Sequence, residues 1–162
     1  MMSRERVLAA LKREEPDHVP YCEIGIDRPL AHKLMGWGKL KSYTADLEAN
    51  QFTAEEAKAI ASLLKLDNIC FVLRAPVYAH KRAGQHGILF YGEGMIKTET
   101  DLDQLRFPDP YDDVLYREAE QFVKQKGEYA ACCITRIGIF PTMLSMGLEN
   151  FSFALYDNRP FV

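Results

Sequence analysis

The polar side chains that could do chemistry stand within or at the ends of otherwise apolar stretches. Glu23 and Asp27 alternate with Cys22, Ile24 and Ile26, so on a strand both carboxylates share a face with Tyr21, opposite the apolar face. A carboxylate inside a protein is costly unless it is paired, hydrogen-bonded or solvated in a ligand cavity. That makes Glu23 a pocket candidate, whereas Asp27, followed by Arg28 and Pro29, serves equally well as a helix cap. Arg74 and Arg136 each close an apolar run. A guanidinium there can clamp a substrate carboxylate or phosphate bidentately, or pair internally with Glu23 or Asp27. Tyr78 and His80 follow Arg74, and Thr135 precedes Arg136; His80 has a solvated loop position as its plain alternative.

The elements that must position these groups follow from periodicity. Val7, Leu8 and Leu11 mark one face of a helix over residues 3–12, capped by Ser3 and ended by Pro16. Residues 21–27 read as a strand. Pro29 opens a short helix through Met35, stopped at Gly36. Thr53 and Glu56 form a capping box ahead of a stripe of Ala57, Ile60, Ala61 and Leu64. Residues 66–74 are a continuous apolar run, the pattern of a strand buried on both faces, and residues 75–87 read as a loop. A hairpin is expected from 88–91 and 95–98 about Gly92-Glu93-Gly94. Asp109 and Pro110 begin a helix with Val114, Leu115, Ala119, Phe122 and Val123 inward and Gly127 as its stop. A third strand over 129–139 and a final helical stretch complete the order, which is the grammar of parallel βα units.

The opening, Ser3 to Leu11 followed by Pro16, Asp17, Val19 and Pro20, resembles the uroporphyrinogen decarboxylase-like family, whose members begin S-R-E-R-V-L-A-A-L and continue P-D-x-V-P. Thr98 to Leu105 with Phe107-Pro108-Asp109-Pro110, and Gly147-Leu148-Glu149-Asn150-Phe151, are similar to later family segments. The resemblance implies an α/β fold: the N-terminal part of a (β/α)8 TIM-type barrel, with an N-terminal helix and a small hairpin excursion. Residues 1–162 would form a single domain holding the first three βα units, since a whole barrel needs roughly 250 residues. Strand ends form the active site of such a barrel, which would bring Glu23, Asp27, Arg28, Arg74, Tyr78, His80 and Arg136 to one pocket.

Two branches of the family compete. The decarboxylase branch carries R-Q-A-G-R-Y after its first strand and an aspartate near the end of its second. Here those regions read Ile26-Asp27-Arg28-Pro29-Leu30 and Phe71-Val72-Leu73-Arg74. The resemblance therefore implies the methyltransferase branch, moving a methyl group between a corrinoid or small methylated substrate and a thiol. Zinc and a corrinoid would belong to the full-length protein, and this chain holds neither the family's metal ligands nor an identifiable catalytic residue. The implied partners are a small-molecule substrate, a corrinoid protein, and a second copy or a complementing C-terminal half. The alternatives are a tetrapyrrole decarboxylase and a non-catalytic ligand-binding or interaction fragment.

Composition narrows the surroundings. Twenty basic and 23 acidic residues, a net charge of −3 without a basic stripe, argue against nucleic acid. No apolar run approaches the roughly 20 residues of a membrane helix, and the charged N-terminus lacks a signal-peptide core, so the expectation is a cytoplasmic protein. Cys22, Cys70, Cys132 and Cys133 lack metal or disulfide-framework spacing and read as reduced, buried cysteines.

Overall fold

The computed structural model describes residues 1–38, 43–44, 51–73, 76–85, 88–135 and 138–162. Its elements run α1 (Ser3–Leu11), α2 (Arg28–Met35), β1 (Tyr43–Thr44), α3 (Ala54–Leu64), β2 (Asn68–Leu73), β3 (Ala79–Ala83), β4 (Ile88–Gly94), α4 (Arg117–Gln125), β5 (Ala130–Thr135), α5 (Ile139–Met146) and α6 (Leu148–Asp157). The chain divides into two compact units. Unit 1 comprises Met1–Leu40, Leu47–Leu73 and Pro110–Ile134; unit 2 comprises Lys41–Asp46, Arg74–Asp109 and Thr135–Val162.

The strand pairing corrects the expected barrel segment. Three successive βα units would place three strands side by side in one sheet; the second and third expected strands pair as β2 and β5, but no strand at 21–27 joins them, and β1, β4 and β3 form a second sheet in that order. Residues 21–27 are not a strand, and Ile24, assigned to the apolar face, is 71% exposed. The amides of Tyr21 and Glu23 find side chains instead of a neighbouring ladder. Among the described residues the architecture is mixed α/β with two small sheets.

In unit 1, α3 begins as its sequence dictates. Thr53 Oγ1 accepts from the Glu56 N–H at 3.2 Å, and Glu56 Oε2 accepts from the Thr53 N–H at 3.0 Å. Ala57, Ala61, Leu66, Ile69, Phe71 and Phe122 then close an apolar core between α3, β2 and α4. The Phe71 and Phe122 rings lie 5.5 Å apart at 55°. The α4 region differs from its expected amphipathic helix. A 3-10 turn at Asp113–Tyr116, capped by Asp112, precedes α4, and only Phe122 of the predicted inward set is buried, with Val114 55% and Val123 47% exposed. The turn changes the angular step between 114 and 122, so the residues no longer share a stripe.

In unit 2 the hairpin forms one strand earlier than expected. β3 and β4 pair antiparallel with Lys81 opposite Tyr91 and a bulge near Ala79, and β1 joins β4 in parallel, Tyr43 opposite Ile88. Residues 79–83 are mostly exposed and carry no alternation, so the pairing with β4, not an apolar face, makes them a strand. Ile96, Met146, Phe151 and Ala154 form this unit's core. Gly94 is packed so closely against 145–147 that a Cβ there would meet the Ser145 O, the Met146 C and the Gly147 N at 2.4 Å. Among the described residues no helix is long and apolar enough to cross a membrane.

Candidate functional site

Arg6 organises unit 1. Its guanidinium donates from Nε to Asp17 Oδ1 at 2.6 Å, from Nη2 to Asp17 Oδ2 at 3.1 Å and to the Met1 carbonyl at 2.9 Å, and from Nη1 to Asp67 Oδ1. The Met1 amine adds a bond to Asp17 Oδ2 at 2.8 Å. Arg6 and the Asp17 of the proline turn, both from the stretch that carries the family resemblance, thus hold structure together. Ser3, expected to cap α1, is instead the first helical residue, near enough to the Asp67 carboxyl to help lower it. At the helix start Glu5 Oε2 accepts the Met2 N–H at 3.0 Å.

Asp67, 3% exposed, faces opposed influences. Burial pushes its carboxyl up, but the Tyr21 N–H at 2.8 Å, Ser3 and Arg6 outweigh it and hold it below the usual carboxylate range. Asp17 is held well below that range by the Arg6 guanidinium and the N-terminal amine. Asn68, 2% exposed, continues the attachment: Glu23 N–H donates to Asn68 Oδ1, and Asn68 Nδ2 donates to Glu23 O, both at 2.9 Å. Together Asp67 and Asn68 fix residues 21–23 where the sequence suggested a strand.

That segment borders a cavity of about 70 Å³ lined by Glu23, Ile24, Phe52, Ile60, Ile69 and Cys70, among others. Glu23 contributes a solvent-facing carboxylate to a mainly apolar lining that also includes Gln51 and Asn68; its Oε1 accepts the Ile24 N–H at 3.0 Å. Arg28 is committed to structure. It pairs with Glu56 at 3.1 Å, donates to the Gln51 carbonyl at 3.1 Å and lies over the Phe52 ring, 4.8 Å from its centroid. Asp27 occupies the N-cap of α2 without a side-chain capping bond.

The remaining candidates do not join this group. Tyr78 and His80 belong to unit 2. Tyr78 Oη donates to the Arg106 carbonyl at 2.7 Å and accepts the Arg106 N–H at 2.8 Å, fixing one wall of a cavity of about 320 Å³ lined by Tyr78, Ile96, Leu105, Phe107, Met146 and Phe161. His80 is exposed on β3. Arg74 and Arg136 lie outside the described residues. Thr135 is exposed at the end of β5.

Sequence reasoning passed over Asp67 and Asn68. Their signal was two adjacent polar residues at the entry of an apolar run, where an unpaired side chain would be expensive. It also expected buried cysteines, yet Cys22 and Cys133 are exposed and Cys70 and Cys132 half-buried. Among the described residues no group of three His, Cys, Asp or Glu is arranged to hold a metal ion, so the zinc that the resemblance implies finds no ligand set there. No protein-family model, curated protein or solved structure matches the chain.

Proposed function

We propose that the chain contributes to a uroporphyrinogen decarboxylase-like protein of the methyltransferase type, acting in the cytoplasm on a small methylated substrate or corrinoid with a thiol as the other methyl carrier. The observation that carries the reading is the family-like opening stretch, whose Arg6 and Asp17 anchor the segment that brings Glu23 to the rim of an apolar cavity. The departures at Ile26-Asp27-Arg28-Pro29-Leu30 and Phe71-Val72-Leu73-Arg74 from the decarboxylase pattern favour this branch over tetrapyrrole decarboxylation. About 70 Å³ corresponds to on the order of five water-sized groups at roughly 10–15 Å³ each, enough for a small methylated moiety. The apolar walls would exclude water from the methyl-bearing part, and the Glu23 carboxylate would orient a cationic or hydrogen-bond-donating part at the rim. A corrinoid protein and a complementing chain or second copy are the partners that go with this reading.

The test is the natural gene product, with intact mass and zinc measured on one sample before incubation with methylcobalamin and a small thiol. Methylated thiol from a product holding about one zinc supports the reading. Carbon dioxide released from uroporphyrinogen without methyl transfer overturns it in favour of decarboxylation. A metal-free product inert in both assays overturns it in favour of a non-catalytic binding role.

A further inference from the structure

Two of the four cysteines converge on one side chain in unit 1, with a third nearby, and this arrangement is independent of the methyltransferase reading. Asn68 Nδ2 lies 3.2 Å from Cys70 Sγ and 3.8 Å from Cys132 Sγ. The Cys70 thiol donates to the Glu23 carbonyl at 3.4 Å, and Cys132 lies close enough to help push that thiol up. Cys22, adjacent to Glu23 in the chain, is near enough to both other sulfurs to influence them electrostatically.

The strands explain the convergence. β2 and β5 start side by side, where the Ala130 N–H donates to the Asp67 carbonyl at 3.0 Å, and Cys70 and Cys132 are each the third residue of their strand. Neighbouring strands run about 4.7–4.9 Å apart, inside the roughly 4.4–6.8 Å Cα separation that a disulfide requires. Cys133, the next residue along β5, lies on the opposite face by strand alternation and is exposed.

We propose that Cys70 and Cys132 are an oxidisable dithiol that closes to a disulfide between β2 and β5 when a peroxide reaches it. In the first step one sulfur attacks hydrogen peroxide, the O–O bond breaks, and a sulfenic acid and one water result. In the second, the other sulfur attacks the sulfenic sulfur; the S–S bond forms, the S–O bond breaks, and hydroxide leaves with the thiol proton as a second water. The balance is two thiols and one peroxide to one disulfide and two waters, the sulfurs losing two electrons and the peroxide gaining them. Burial raises the Cys70 thiol to about 12, so the reaction is slower than at an exposed, activated cysteine and the reduced pair persists until oxidant accumulates.

The experiment treats the folded Cys133→Ser protein with hydrogen peroxide, blocks remaining thiols and maps tryptic peptides without reduction. Trypsin then leaves Cys22, Cys70 and Cys132 on separate peptides, because Lys33, Arg74 and Arg136 end them, the Arg28–Pro29 bond resisting cleavage. The expected product joins the Cys70 and Cys132 peptides, two hydrogens lighter than their sum, and Cys132→Ser removes it while Cys22→Ser does not. Preferential linkage through Cys22, or over-oxidised but unlinked thiols, overturns the pairing. So does the same mixture of linkages when the treatment is repeated in urea, where the strand pairing is gone.

Discussion

The two units solve the same problem with different materials. Unit 1 ties distant segments with charged and amide side chains: Arg6 reaches Asp17 and Asp67, and Asn68 holds Glu23, across sequence separations of 11, 61 and 45 residues. Unit 2 spends more of its main chain, in the β3–β4 hairpin and the close approach of Gly94 to 145–147, and uses neutral side chains for its ties, Tyr78 to Arg106 and Asn150 to Ile96. Side-chain ties leave their segment free of a ladder, so residues 21–26 can border a cavity; backbone pairing spends the main chain on the sheet. The contrast teaches why the pocket candidate from the first segment lies at a rim while His80, on the hairpin, does not.

The largest test of the contrast is Phe122→Ala. It opens the core between β2 and α4, and the expected loss is about 3–5 kcal/mol in a urea titration followed at unit 1 residues. A loss under about 1 kcal/mol would mean that the polar ties, not the apolar core, carry unit 1. Asp67→Ala comes next, at about 3 kcal/mol, because it removes one of the two carboxylates on the buried Arg6 and the acceptor of the Tyr21 N–H. The same residue sets an acid limb. Its folded carboxyl is held below the ordinary value, so its contribution is complete above about pH 5 and is lost as the pH falls below about 4, through the lowered folded value. Parallel acid unfolding of the native and Asp67→Asn proteins would remove Asp67 from that account.

Gly94→Ala probes the backbone side of the comparison. The new methyl would sit 2.4 Å from main-chain atoms that cannot swing aside, and a loss of about 1–3 kcal/mol is expected, read from hydrogen exchange at the Ile96 amide. Full protection of that amide in the variant would show that the 145–147 segment is not held against Gly94. The smallest effect on stability belongs to Glu23→Gln, within about 0.5 kcal/mol because the carboxylate is exposed, and on the proposed reading it weakens the apparent affinity for a small methylated substrate. Unchanged affinity would detach Glu23 from the site.

What was readable in the sequence was local. Thr53 and Glu56 lie three residues apart and satisfy each other, and Gly36 takes the left-handed conformation, φ 67°, that ends α2. What was hidden depended on a distant partner. Residues 21–27 alternate as a strand would, but Tyr21 and Glu23 are held mainly by the side chains of Asp67 and Asn68, which no local pattern announces. Residues 79–83 look like a loop until β4 supplies the pairing. Glu23 was visible as a carboxylate in an apolar frame; the three thiols were not, because they come from segments tens of residues apart.

Asn68 also imitates a peptide group. By accepting the Glu23 N–H and donating to the Glu23 carbonyl, its amide occupies both hydrogen-bonding positions that a strand neighbour would use. The Tyr21 carbonyl accepts the Asp67 N–H at 2.8 Å just before. The entrance to β2 is therefore covered by a segment that is itself not a strand and offers no regular template to another chain. In a sheet of two strands, with an edge on each side, such a cover guards against strand addition and the aggregation that follows from it. Loss of the Asn68 amide should appear first as self-association at high concentration, before it appears as unfolding.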